Sequence, residues 1–132
     1  MLVFLDIFLT AFHTAFTLFN LLGWIWGKTR RVHLITITLT LLSWLILGIW
    51  YGLGYCPLTD WHWDVKRALG ERVRGSFNKY MLDIIFNYDF DRSLIDWITA
   101  VALVVVIVAS VYLNYRDWKI KTDKPINSTT QN

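Results

Sequence analysis

The chain has 132 residues, enough for one compact domain, and is 55% hydrophobic, 17% aromatic and only 17% charged, against about a quarter charged in a soluble domain. A net charge of +3 with no long basic run argues against a nucleic-acid partner. The single cysteine, Cys56, rules out an internal disulfide and any zinc site built from several thiolates.

The charges avoid three apolar stretches, which is the pattern of membrane spans. The first is predicted over about residues 2–26. It lacks a positive leading region, carries Asp6 early and is followed by no small-residue cleavage site, so it reads as a retained helix and not a signal peptide. It bears a polar stripe, Asp6, Thr10, His13, Thr17 and Asn20, whose spacing of four, three, four and three puts them on one helix face. A short basic loop with Lys28, Arg30 and Arg31 follows.

The second span is predicted over about residues 32–55, with a stripe of its own: His33, Thr36, Thr40 and Ser43. The short loop makes the two helices antiparallel neighbours, and polar faces avoid acyl chains. A polar seam between the first two helices is therefore expected. Pairing outward from the loop sets His13 opposite Ser43 and Trp44, Asn20 near Thr36, and Asp6 near Trp50 and Tyr51.

A long connection occupies residues 56–92. It opens with Cys56, Pro57, Leu58, Thr59, Asp60, Trp61 and His62. Thr59 or Asp60 is placed to cap a short helix that Gly70 ends. Trp61 and Trp63 read as interface anchors. The stretch from Phe77 to Phe90 is too short and too polar to span, so an amphipathic helix lying in the interface is expected. The last span is predicted over about residues 94–115, starting from Ser93 with Asp96 as its cap pair and turning Val and Ile to lipid. Residues 119–132 are polar and expected to be disordered.

The fold class that follows is all-α: an integral membrane bundle of three transmembrane helices with short interfacial amphipathic helices between the second and last spans. Residues 1–118 form a single membrane domain on this reading. Cations in the first loop and after Tyr115 place both regions in the cytoplasm of a bacterial inner membrane, with the N-terminus outside.

Among candidate site residues, His13 near mid-span is the most informative, since intramembrane ionisable groups are rare. It either binds haem or a quinone head or relays a proton, or is a neutral imidazole that joins helices through Ser43 or Thr17. His33 lies at the mouth of the second span. At 1.5 Å per residue it is roughly 15–20 Å from His13 in depth, too far for both to grip one haem, so it reads as an interfacial residue. Asp6 reads as a carboxylate reaching the headgroups, with a proton acceptor or a partner for a loop Arg as the alternatives. Cys56 and His62 would be only two ligands of a metal site, and no metal is expected. No Gly-rich phosphate loop, nucleophile elbow or zinc-protease motif is present in the sequence.

His13 with Phe16 and Phe19, then Gly23 and Trp24, a short basic loop, His33, Trp44, Gly48 and the run Tyr55 to Thr59 form a combination that resembles the bacterial membrane-protein family DUF2784. The likeness covers roughly residues 1–118, with Cys56-Pro57-Leu58-Thr59 its most specific part. It implies a small membrane protein of no established activity, with His13, His33, Cys56, Pro57 and Thr59 as motif residues. One departure is His62, where the family often carries Glu; Asp60 and Asp64 flank it. The expected function is a non-catalytic accessory or interaction protein in the lipid bilayer, a role compatible with a membrane-protein partner. The alternative is a cofactor-, haem- or quinone-binding protein built around His13. The sequence names no cofactor.

Overall fold

The computed structural model describes residues 1–52 and 54–123. Its described residues form helices and no strands. Three helices are long and apolar enough to cross a membrane: α1 (Leu2–Leu22), α2 (Arg30–Tyr51) and α5 (Arg92–Thr122). Two shorter ones lie between the second and third, α3 (Pro57–Ala68) and α4 (Phe77–Phe86). In hydrocarbon a helix satisfies its own backbone groups, which is why these apolar runs take that form.

The long helices differ in extent from the expected spans. α1 stops at Leu22, and Trp24 and Trp26 belong to the loop. The Trp24 indole donates to the Leu21 carbonyl at 2.7 Å, which anchors that turn. α2 ends at Tyr51 and not at residue 55, because Gly52 takes a φ of +100° and reverses the chain. A wide π-helical turn interrupts α2 at Ser43–Leu47, and the Ser43 hydroxyl donates to the Tyr55 carbonyl at 3.2 Å. The chain after Gly52 thus folds back along α2.

α5 starts at Arg92, capped by Asp91 and not by Ser93; the Asp91 carboxylate accepts from the Leu94 amide at 2.9 Å. It continues past Tyr115 to Thr122. Its 31 residues make a rod of about 46 Å, longer than the roughly 30 Å hydrocarbon core. Val101, Val104, Val105, Val108 and Val111 stay exposed along it, as a lipid-facing side requires. The first part of the expected disordered tail, residues 119–122, is helical instead, and from residue 124 on the tail lies outside the described residues.

The connecting helices depart furthest from expectation. α3 begins at Pro57, with Cys56 in the capping position and Pro57 supplying the preset φ of a first helical residue; neither Thr59 nor Asp60 caps it. It ends at Ala68, just before Gly70 with its positive φ. α3 packs along the first half of α1, burying His62, Trp63, Val65 and Lys66. Trp63 is therefore a core residue, its indole donating to the Gly75 carbonyl at 3.0 Å, whereas Trp61 stays exposed. α4 packs on α5, where the Ser76 hydroxyl donates to Asp96 at 2.7 Å and the Asn78 amide to Thr99 at 3.3 Å. The core runs through Leu9, Ile37, Trp63, Val65, Phe77, Ile95 and Val106.

Candidate functional site

The polar stripe of α1 does not meet α2 along its length. It divides between two partners, and each half is organised by a fully buried histidine.

The first node joins the three long helices. His33, near the start of α2, is 0% exposed and enclosed by neighbouring helices. Its Nε2 lies 2.8 Å from the Asn20 carbonyl, and its Nδ1 lies 2.9 Å from the Ser110 hydroxyl. A carbonyl only accepts, so Nε2 carries the hydrogen, and in the neutral ring Nδ1 accepts from Ser110. Both nitrogens are thereby committed, and neither is left for a metal. Ser110, in a helix that reads as plain hydrocarbon, was the partner that spacing did not suggest; its one signal is a hydroxyl in a run of Val, Ile and Ala. Asn20 donates to the Thr40 hydroxyl at 3.0 Å, not to Thr36. Thr36 and Thr40 turn their own hydroxyls back onto the His33 and Thr36 carbonyls.

Gly23 makes this closeness feasible. A Cβ there would lie 2.9 Å from the His33 ring and 2.6 Å from the Phe19 carbonyl. On the adjacent turn Asn114 donates to the Arg30 carbonyl at 3.1 Å, and Arg30 pairs with Asp117 at 2.7 Å.

The second node joins α1 to the loop helices. The His62 ring is 0% exposed. Its Nε2 donates to Asp6 Oδ1 at 2.7 Å, with the Thr10 hydroxyl 3.1 Å from the same nitrogen. Lys66, one turn further along α3, reaches Asp6 at 3.1 Å and Glu71 at 3.0 Å. His62 touches Asp6 and Thr10 while Lys66 touches Asp6, so α3 runs opposite in direction to α1. Asp6 is thus held by His62 and Lys66 of α3, and not by the expected Trp50 and Tyr51.

Burial by itself would lower the Lys66 pKa. The neighbouring Tyr80, whose ring centroid is 5.0 Å from Nζ, together with Glu71 and Asp6, outweighs that and holds the ammonium above the ordinary lysine range.

His13 is buried, but not against Ser43 and Trp44 as expected. Its ring stacks on Phe77 at 3.9 Å between centroids and 8° between planes. Phe77 also contacts the rings of His62, Trp63 and Tyr80. His13 lies mid-helix in α1, so the loop reaches to the middle of the span. Backbone at that depth is tolerated when protein covers it. The Nδ1 atoms of both His13 and His62 are buried without a hydrogen-bond partner; the Asn20 side-chain oxygen shares that condition at the other node.

The remaining expected residues lie elsewhere. Thr17 and Trp44 are half-buried, with no side-chain hydrogen bond among the described residues. Cys56 is a free thiol. Asp60 accepts from the Tyr55 hydroxyl at 3.0 Å, which raises the Tyr55 pKa. No group of three or more metal-ligating side chains forms among the described residues.

Asp6 and Thr10 both approach Nε2 of His62. A hydrolytic triad needs its carboxylate and its nucleophile on opposite ring nitrogens, so this cluster lacks that geometry. A family model described as "Protein of Unknown function (DUF2784)" matches residues 3–115. No curated protein and no solved structure matches the chain.

Proposed function

The chain belongs to the DUF2784 family, and we propose that it is a non-catalytic accessory protein of the bacterial inner membrane that binds the polar head of a small amphiphile, such as a quinone, between His13 and His62. The observation that carries this reading is the pair of buried imidazoles whose Nδ1 atoms have no partner. A buried polar atom left unpaired costs about 1–3 kcal/mol, and native proteins keep few of them. His62 uses its Nε2 hydrogen on Asp6, so its Nδ1 is a free acceptor in the neutral ring. Phe77 stacks on His13 and, with Trp63 and Tyr80, contacts the His62 ring, which gives the two imidazoles aromatic neighbours of the kind such head groups favour. A haem bridged by His13 and His33 gains no support, since His33 is bonded through both nitrogens.

The same reading keeps the N-terminus outside and the C-terminus in the cytoplasm. It is supported by Lys28, Arg30, Arg31 and Lys121 lying together where α2 begins and α5 ends.

The test is to purify the protein in mild detergent, record its visible spectrum and extract it for bound quinone. A stoichiometric quinone that is lost in His13→Ala, with helix content unchanged, is the expected result. A protein that carries nothing extractable, and whose behaviour is the same in that variant, would overturn the proposal.

A further inference from the structure

At the end of the bundle opposite the loop helices, the start of α2 and the end of α5 enclose a groove of about 840 Å³. Its walls carry four cations, Lys28, Arg30, Arg31 and Lys121, against one acid, Asp117. That acid is already engaged: Arg30 holds it at 2.7 Å, and Arg116 lies 3.8 Å away. Lys28, Arg31 and Lys121 are exposed and form no ion pair among the described residues. Leu34, Trp118 and Ile120 give the same groove an apolar surface.

Membrane topology accounts for cations near a helix end. It does not account for three of them converging, unpaired, on a groove that is partly apolar. We propose that this groove seats the phosphate head of an anionic phospholipid, with Lys28, Arg31 and Lys121 on the head and Leu34 and Trp118 along the first part of the acyl chain. Arg30 is the positioning residue. Its guanidinium ties α2 to Asp117 and to the Trp24 carbonyl at 3.1 Å, and so fixes the groove's width. Basic pockets between transmembrane helices recognise anionic heads by this charge complementarity. The apolar surface and the position at the helix ends favour a lipid over a free anion.

The experiment is native mass spectrometry of the detergent-purified full chain titrated with phosphatidylglycerol and, separately, with phosphatidylcholine. Preferential retention of phosphatidylglycerol is expected. Each of Lys28→Gln, Arg31→Gln and Lys121→Gln should weaken it about fivefold, and the triple variant on the order of a hundredfold. The paired control Arg72→Gln with Lys119→Gln lies outside the groove lining and should leave retention unchanged. Equal retention of both lipids would overturn the proposal. So would a control that loses as much as the triple variant, or displacement of the lipid by an equal concentration of inorganic phosphate. Because the three cations are exposed, the single variants are expected to keep the fold, and near-ultraviolet circular dichroism checks that they do.

Discussion

Two buried histidines, His33 of α2 and His62 of α3, meet α1 at opposite ends of its polar stripe and have opposite fates. His33 spends both nitrogens on neighbours from two helices, the Asn20 carbonyl and the Ser110 hydroxyl. His62 spends one on Asp6 and leaves the other bare, beside His13, which leaves its Nδ1 bare as well. A histidine bonded through both nitrogens inside a membrane bundle acts as glue between the helices it touches, even with the Asn20 side-chain oxygen beside it unpartnered. A histidine with one bare nitrogen keeps a free valence that packing does not use. The difference separates a structural histidine from a candidate binding one, although both are ionisable residues deep in a bundle.

The most direct way to break this comparison is to truncate both kinds of histidine. His33→Ala removes two interhelical hydrogen bonds and opens a fully enclosed cavity, so it should destabilise the bundle by about 3 kcal/mol. His13→Ala removes a stacked ring but no hydrogen bond, and should cost about half as much. Thermal unfolding in detergent gives both values. A larger loss at His13 than at His33 would reverse the assignment of roles.

Gly23→Ala tests the glue from its other side. The added Cβ would stand 2.9 Å from the His33 ring and 2.6 Å from the Phe19 carbonyl. Overpacking of this kind should cost about 2 kcal/mol, read from the same unfolding curves. An unchanged midpoint would show that His33 moves freely, and the node would then not be rigid.

The loop clamp is the next smaller effect. Lys66 lies between Asp6 and Glu71, with its side chain 4% exposed against 17% for Asp6. A double-mutant cycle on Asp6→Asn and Lys66→Gln should give a coupling of about 1–2 kcal/mol. Coupling near zero would mean that apolar packing of α3 holds the loop and the charges only decorate it.

The smallest effect lies at the solvent end of α4. Lys79 pairs with Asp83, whose carboxylate also accepts from the Phe90 amide at 3.0 Å. The Lys79 contact, then the Phe90 amide, hold the Asp83 pKa below its ordinary 3.8. A depressed carboxylate stabilises the fold above its unfolded pKa and loses that contribution as pH falls through the lower folded value. Protection of the α4–α5 turn in hydrogen exchange should therefore fall only below about pH 4, and Asp83→Asn should abolish that step. Loss of protection already near neutral pH would point to another titrating group.

Much of the fold was legible in the chain. Apolar runs long enough to cross a bilayer, the first two separated by the Lys28 to Arg31 loop, identified three helices because hydrocarbon leaves the backbone little choice. The stripe Asp6, Thr10, His13, Thr17 and Asn20 was correctly read as one face by its period. Its partners were not. A period says which residues share a face, but not which neighbour covers it. Pairing outward from a short loop assumes that sequential helices stay in contact, and here that holds only near the loop.

What the sequence determined by itself is a helical chain with three membrane-length helices and a polar stripe along one helix face, since length, hydropathy and period are local properties. What only the tertiary structure decided is that α3 folds back against α1 and α4 against α5, that His33 is buried against Ser110, and that Asp6 belongs to His62 and Lys66. The last two outcomes depend on contacts between residues more than fifty positions apart. A buried charge in lipid takes whichever opposite charge the fold brings within reach, and no local pattern encodes that reach.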